Sequence, residues 1–307
     1  MVKDSSEKRE VSPLTSKLSM FFSAILMGNV GLFVTLLGSY SVFTIALLRG
    51  LFGTLFLSIL LVFRKSLSRN FLKEVFQNHW KLLALIAVVN PLVILFYFMV
   101  IIISGYAIAA FLLYTGGIFL VIFLMLSGEE KVSKTNIICL CIALGGIAVI
   151  MEIWNVENIS IGFLFGILSG FSLGALTFFK KKIYNIRRRD EEFLIIRGDF
   201  DIFLAWWGTL TLFLFFPIGG WDLLKLDLMD IFISLLLGLF PTALAFALYN
   251  VGLRNDKGAD IVLLSYFEPV MATINTAIFL GELSPFTILG GSLILLANFA
   301  IQWFNSR

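Results

Sequence analysis

Apolar stretches long enough to cross a lipid bilayer recur down this chain, near residues 18–38, 42–63, 82–103, 106–126, 135–152, 161–179, 196–217, 231–252, 259–280 and 285–304. About 20 such residues cover a hydrocarbon layer of about 30 Å when helical. Backbone in lipid must satisfy its own hydrogen bonds, and with no alternating strand pattern the helix is the form left to it. The expectation is an all-α membrane protein with ten transmembrane helices and no separate soluble domain. Composition agrees: 59% of residues are hydrophobic, 14% are charged and the mean hydropathy is +0.98. Polar groups are too few to cover a water-facing surface. Residues 1–17 form a polar tail followed by a long apolar run with no small-residue cleavage site, so that run is read as a retained helix.

The basic residues test the count. With the N-terminus in the cytoplasm, 21 of the 23 lysines and arginines fall on the cytoplasmic side. Lys225 alone falls outside, and Arg49 lies within a span. Short loops rich in Lys and Arg stay inside, and an odd number of spans would scramble the split. Both termini are therefore expected in the cytoplasm of a multi-pass cell-membrane protein. The run KKKIYNIRRR at 180–189 reads as a topology anchor at the membrane surface rather than a nucleic-acid site.

A weak repeat runs through the chain. AILMG at 24–28 matches GILSG at 166–170, LLRGLF at 47–52 matches IIRGDF at 195–200, and SGEE at 127–130 matches LGEL at 280–283, at offsets of 142, 148 and 153 residues. The matches keep one order. Five spans in each half place the second half upside down, an inverted-topology repeat of the kind many secondary transporters share. The halves are 18–152 and 161–304.

The stretch 259–282, ADIVLLSYFEPVMATINTAIFLGE, carries Glu268 inside an apolar run. Ser265, Glu268, Ala272 and Asn275 fall on one helical stripe, with apolar residues on the other faces. A carboxylate at that depth costs roughly 2.5–3.5 kcal/mol or more, so it faces protein or a watery cavity. Pro269 removes a donor and is expected to loosen the helix there. Ten spans in two halves, Gly-Glu after the fourth and ninth spans, the arginine of the second span and FEPVMATINTAIFLGE together resemble the drug/metabolite transporter superfamily, in particular the EamA-type permeases. The resemblance covers about Leu18 to Phe304. It implies a helical secondary transporter (permease or exporter) with a central cavity, moving a small polar or amphipathic metabolite, amino-acid-like, by alternating access. The alternative within transport is a nucleotide-sugar or phosphometabolite exchanger, which wants cationic cavity residues, and Arg49 is the one available. From another class, the alternative is a membrane-embedded enzyme or scaffold.

The candidate substrate-binding residues are the polar ones set within spans: Asn29, Arg49, Asn90, Tyr114, Thr115, Ser172, Tyr249, Asn250, Ser265, Glu268 and Asn275. Arg49 lies about 10 Å below the outer surface at 1.5 Å per residue, where it either snorkels to the headgroups or pairs with a carboxylate. Glu268 reads as a proton or cation site or as the partner of a substrate amine, or else as a carboxylate tied to backbone groups or to Arg49. Asn90-Pro91 is expected to break the third helix and expose carbonyls. Arg197 and Asp201, one turn apart, read as a local ion pair beside Asp199. Gly162, Gly166, Gly170 and Gly174 make a flat face that another helix can approach closely, with Ser169 beside it. Trp80, Trp154, Trp221 and Trp303 sit at span ends, as interfacial anchors do.

Several chemistries find no residues. Cys139 and Cys141 lie in an apolar run and read as small core side chains. The lone His79, in a basic connection, rules out a histidine-built metal site and a Ser–His–Asp set. No phosphate-binding G-x-x-x-x-G-K-[ST] loop occurs, so the chain does not itself hydrolyse ATP. No cofactor, metal or catalytic residue is expected. The expected partners are a small-molecule solute, a coupling proton or cation, and the bilayer.

Overall fold

A computed structural model describes residues 13–64, 69–128, 161–189, 197–254, 264–265, 267–281 and 284–305, with scattered positions between 138 and 154. Among them there is no strand. The helices are α1 (Pro13–Met27), α2 (Val30–Leu36), α3 (Val42–Phe63), α4 (Arg69–Ser104), α5 (Tyr106–Leu113), α6 (Gly116–Leu126), α7 (Ile161–Arg189), α8 (Arg197–Leu210), α9 (Phe216–Gly219), α10 (Leu228–Gly238), α11 (Ala245–Arg254), α12 (Phe267–Asn275) and α13 (Pro285–Asn305). Among the described residues, seven helical segments are long and apolar enough to cross a membrane. The expected fifth span and the start of the ninth lie largely outside the described residues, and α13 covers the tenth, so ten remains compatible. Trp80, Trp154, Trp221 and Trp303 are all well exposed, as interfacial anchors must be.

Two expected connections are helical instead. α4 is 36 residues long, about 54 Å at 1.5 Å per residue, and takes in most of 64–81. The reason is a stripe at every fourth residue: Phe71, Val75, His79 and Leu83 are buried, while Arg69, Lys73 and Lys81 lie off it. Phe71 meets the Phe203 ring edge-on at 5.5 Å, and Trp207 donates to the Leu83 carbonyl at 3.0 Å. His79 is thus a buried helical residue, not one in a loop. α7 likewise continues to Arg189, because Leu176, Lys180, Ile183 and Tyr184 prolong its buried face. Asn90-Pro91 does not break its helix. Pro91 sits inside α4, and Asn90 instead donates across to the Gly208 carbonyl at 2.9 Å and to Thr211 at 3.3 Å.

The inverted repeat is visible in how the spans cross. Ser58 bonds Trp206 at 2.8 Å, Thr54 bonds Thr209 at 3.0 Å, Gly50 lies against Leu212, and Thr44 bonds the Gly219 carbonyl at 3.1 Å. As one helix advances the other recedes, so the second and seventh spans run antiparallel. Thr54 and Thr209 lie 155 residues apart, in matching FGTL and WGTL segments. The pseudo-two-fold axis therefore passes between them. This register differs from the LLRGLF and IIRGDF match, so Arg49, near the crossing, has no structural equivalence to Arg197. The fourth and sixth spans run parallel: Leu112 meets Gly166, Gly116 meets Gly170, and Leu120 meets Gly174. The counterpart is the first span against the ninth, also parallel, with Phe21 stacked edge-on to Phe267 and Gly28 against Met271. The fourth and ninth spans also end alike, on Gly128 (φ 75°) and Gly281 (φ 68°), a left-handed conformation that favours glycine.

Several spans lose regular helix near their middle. The first is interrupted at Gly28-Asn29, the fourth at Tyr114-Thr115 and the eighth by a π turn over Leu239–Leu244. Proline explains the last: Pro241 has no N–H for the Leu237 carbonyl, and the Thr242 hydroxyl donates to that carbonyl at 2.7 Å. Freed carbonyls in a bilayer need other donors. The Gly28 carbonyl accepts from the Tyr106 hydroxyl and from Asn275 at 2.7 Å, and the Pro241 carbonyl accepts from Arg49 at 3.1 Å.

Candidate functional site

The irregular mid-spans surround one cavity. Its volume is about 90 Å³, room for about half a dozen waters at 10–15 Å³ each. The first half supplies Met27, Val30, Arg49, Asn90, Val93, Tyr97 and Tyr114 to its wall, and the second supplies Leu173, Thr177, Lys180, Phe246, Tyr249, Ser265 and Glu268. The lining is mostly apolar with a few polar groups aimed inward, as small-molecule sites are built.

Glu268 is 4% exposed and accepts a 2.8 Å hydrogen bond from the Tyr114 hydroxyl. It sits in the first turn of α12, where the helix dipole favours a carboxylate. Pro269 does not loosen this helix. It too falls in the first turn, where a backbone N–H has no intrahelical acceptor to lose. The stripe holds: Ser265, Glu268, Ala272 and Asn275 are buried, while Phe267, Val270 and Ile274 are exposed.

Arg49 is 4% exposed and does not snorkel. Its Nε donates to Thr242 at 2.9 Å and one Nη to the Pro241 carbonyl, so it closes the π turn of the eighth span. Its guanidinium lies over the rings of Phe246 at 5.1 Å and Phe98 at 5.7 Å. Among the ion pairs of the described residues, none joins Arg49 to Glu268.

Lys180 is the charged cavity residue that sequence reasoning missed. Read as the head of a surface run, it is 5% exposed, lines the cavity, and lies over the rings of Tyr249 at 5.4 Å and Phe246 at 5.8 Å. Its position one turn beyond Leu176 on a buried face was the available signal. Thr177 and Tyr97 were missed too. Thr177 shares a hydrogen bond with Tyr249 at 3.3 Å.

Of the eleven candidates, Arg49, Asn90, Tyr114, Tyr249, Ser265 and Glu268 line the cavity, and the other five lie elsewhere. Asn29 turns back to the Ile25 carbonyl at 2.7 Å and accepts from Asn275 at 3.2 Å, while Asn275 also serves the Gly28 carbonyl. Thr115 donates to the Leu112 carbonyl at 2.7 Å, and Ser172 is buried outside the cavity. Asn250 accepts from Lys180 at 3.2 Å and donates to the Asp201 carbonyl at 3.0 Å. It therefore belongs to a cluster at the basic end, where the buried Asp201 pairs with Arg254 at 2.9 Å and accepts from Tyr184 at 2.8 Å. Asp201 thus pairs with Arg254; the side chain of Arg197, its expected partner, and that of Asp199 lie outside the described residues.

Known proteins place this architecture. A solved crystal structure shares the fold with a TM-score of 0.64 at 17% identity, over 96% of this chain and 100% of its own. An uncharacterized transporter of Archaeoglobus fulgidus is 28% identical over 286 residues, 93% of this chain and 95% of the relative. The sequence profile of the EamA-like transporter family matches residues 15–152 and again 160–302. Two matches spanning nearly the whole chain, one in each half of an inverted helical repeat, place it: this multi-pass membrane protein belongs to the EamA-like transporter family.

Proposed function

We propose that the chain carries a small amphipathic, amino-acid-like metabolite across the cell membrane by alternating access, with the halves 18–152 and 161–304 rocking about the cavity. The supporting observation is that Arg49 and Tyr114 from one half and Lys180 and Glu268 from the other line the same small space. A relative motion of the halves opens such a space to either side. Glu268 receives the ammonium of the solute or a coupling proton, and the apolar wall of Met27, Val30, Val93 and Leu173 receives its carbon chain. Both termini lie in the cytoplasm, following the distribution of Lys and Arg.

Lys180 favours a second reading. A nucleotide-sugar or phosphometabolite exchanger wants more than one cavity cation, and Lys180 supplies the second. Purified protein in liposomes loaded with labelled amino acids, or with labelled phosphate esters, separates the two by efflux. Efflux of amino acids above that of protein-free vesicles supports the first reading. Exchange of phosphate esters alone replaces it with the second, and no movement of either sinks both.

A further inference from the structure

Arg49 and Lys180 are both almost fully buried, and both line the cavity. Each lies within 6 Å of the Phe246 ring centre, at 5.1 and 5.8 Å, so the two charges stand no farther apart than those distances added together. Among the ion pairs of the described residues, none reaches either of them. Each has donors to spare: Arg49 uses two of its five N–H groups on Thr242 and Pro241, and Lys180 gives one of its three to Asn250. Cation–π contact lessens the cost of burying a cation without neutralising it. Buried charge at membrane depth calls for an opposite charge; Glu268, the carboxylate in the cavity wall, is held by Tyr114 and acts on Arg49 from beyond ion-pair distance, which leaves Lys180 as the cation to be met.

We propose that Arg49 and Lys180, gathered at the Phe246 ring, form the seat for an anionic group of the transported solute, a carboxylate or a phosphate. The seat rests on the transport reading for its occupant, not for its geometry. Arg49 is fixed by the π turn it closes and defines where the anion sits. Lys180, on a flexible stem, closes over it and is the residue that selects for negative charge. An anion that draws the ammonium from Asn250 also reaches, through Asn250, the Asp201–Arg254–Tyr184 cluster at the basic end.

The test reads binding apart from transport. Full-length protein in detergent is warmed with leucine, with 4-methylpentanoate (its deaminated acid), with 3-methylbutylamine (its decarboxylated amine), or with glycerol 3-phosphate, and the melting temperature is titrated against each. Wild type should be stabilised by at least one anionic probe, and by that probe more than by the amine. The better of carboxylate and phosphate then names the group. Lys180→Gln should weaken binding of that probe by tenfold or more, while Lys180→Arg keeps it within about threefold. Stabilisation by the amine equal to that by the acids, no response to any anionic probe, or unchanged affinity in Lys180→Gln overturns the seat. Should Lys180→Gln fail to fold, the wild-type comparison of acid with amine still decides. A probe that binds yet is not carried in liposomes sinks the transport reading and leaves the seat standing.

Discussion

Asp201 and Arg254 meet at 2.9 Å where the seventh and eighth spans end, with the aspartate wholly buried. Tyr184 donates to the Asp201 carboxylate and the carboxamide of Asn250 to its backbone carbonyl, tying the sixth span to the other two. Removing one partner of a buried pair leaves the other charge stranded and costs about 3–5 kcal/mol. Asp201→Asn and Arg254→Met should each lower thermal stability by that order, and the double variant should lose much less than the two losses combined. Strict additivity in a double-mutant cycle would show that the pair is not coupled.

Gly170 packs where a β-carbon would overlap the Thr115 hydroxyl and stand 3.0 Å from the Leu112 carbonyl. Gly170→Leu should therefore prevent a stable fold, since overpacking typically costs about 1–3 kcal/mol and the obstacle here is partly backbone. Size-exclusion profiles and melting temperature measure it. A monodisperse variant with wild-type stability would show that this face meets lipid.

Thr54 and Thr209 touch through their hydroxyls, so cysteines placed there have sulfurs within bonding reach. In a background where Cys139 and Cys141 are replaced by alanine, Thr54→Cys with Thr209→Cys should cross-link on mild oxidation, shifting mobility on a denaturing gel. The pair Leu60→Cys and Leu214→Cys should not. Failure of the first pair would remove the antiparallel crossing of the second and seventh spans.

Glu268→Gln should fold and insert, because glutamine still accepts from Tyr114, yet it should lose most coupled transport. If the carboxylate carries a proton, pH-driven uptake vanishes while solute exchange persists. If it holds a solute ammonium, both fall together. Wild-type uptake in the variant excludes both roles. Tyr114→Phe, which removes one donor, should weaken uptake less, since a net hydrogen bond to a charged group is worth about 1.5–3 kcal/mol.

The sidedness of the chain is checked by single cysteines at Ser5 and Leu224, the latter 92% exposed. A membrane-impermeant maleimide should reach them from opposite faces of sealed vesicles. Labelling of both from one face contradicts cytoplasmic termini.

Polarity within an apolar run signals that a side chain serves something, but not what. Arg49 and Glu268 carried that signal and line the cavity. Asn29, Asn275 and Thr115 carried the same signal and serve carbonyls at the breaks in the first and fourth spans. Those carbonyls exist only once the helix is interrupted, which no residue spacing reveals. Lys180 and His79 failed the other way. Each stands among charges in sequence, while the fourfold stripe of its helix carries it inward. The apolar spans and the glycine face were legible because they rest on periodicity, and the repeat because its short matches keep one order. The register of the two halves was not, because it is fixed by which small residues cross, at Gly53, Thr54 and Thr209.

On the axis between Thr54 and Thr209 each half meets its own counterpart, so those positions must stay small together. Five residues earlier the halves part company: Arg49 in one, the buried Leu204 in the other. An even-handed frame thus encloses a lopsided chamber, whose wall carries two cations and a carboxylate. A cargo with two like ends satisfies only one of them at a time. On the proposed transport reading, the cargo that satisfies both is a zwitterion.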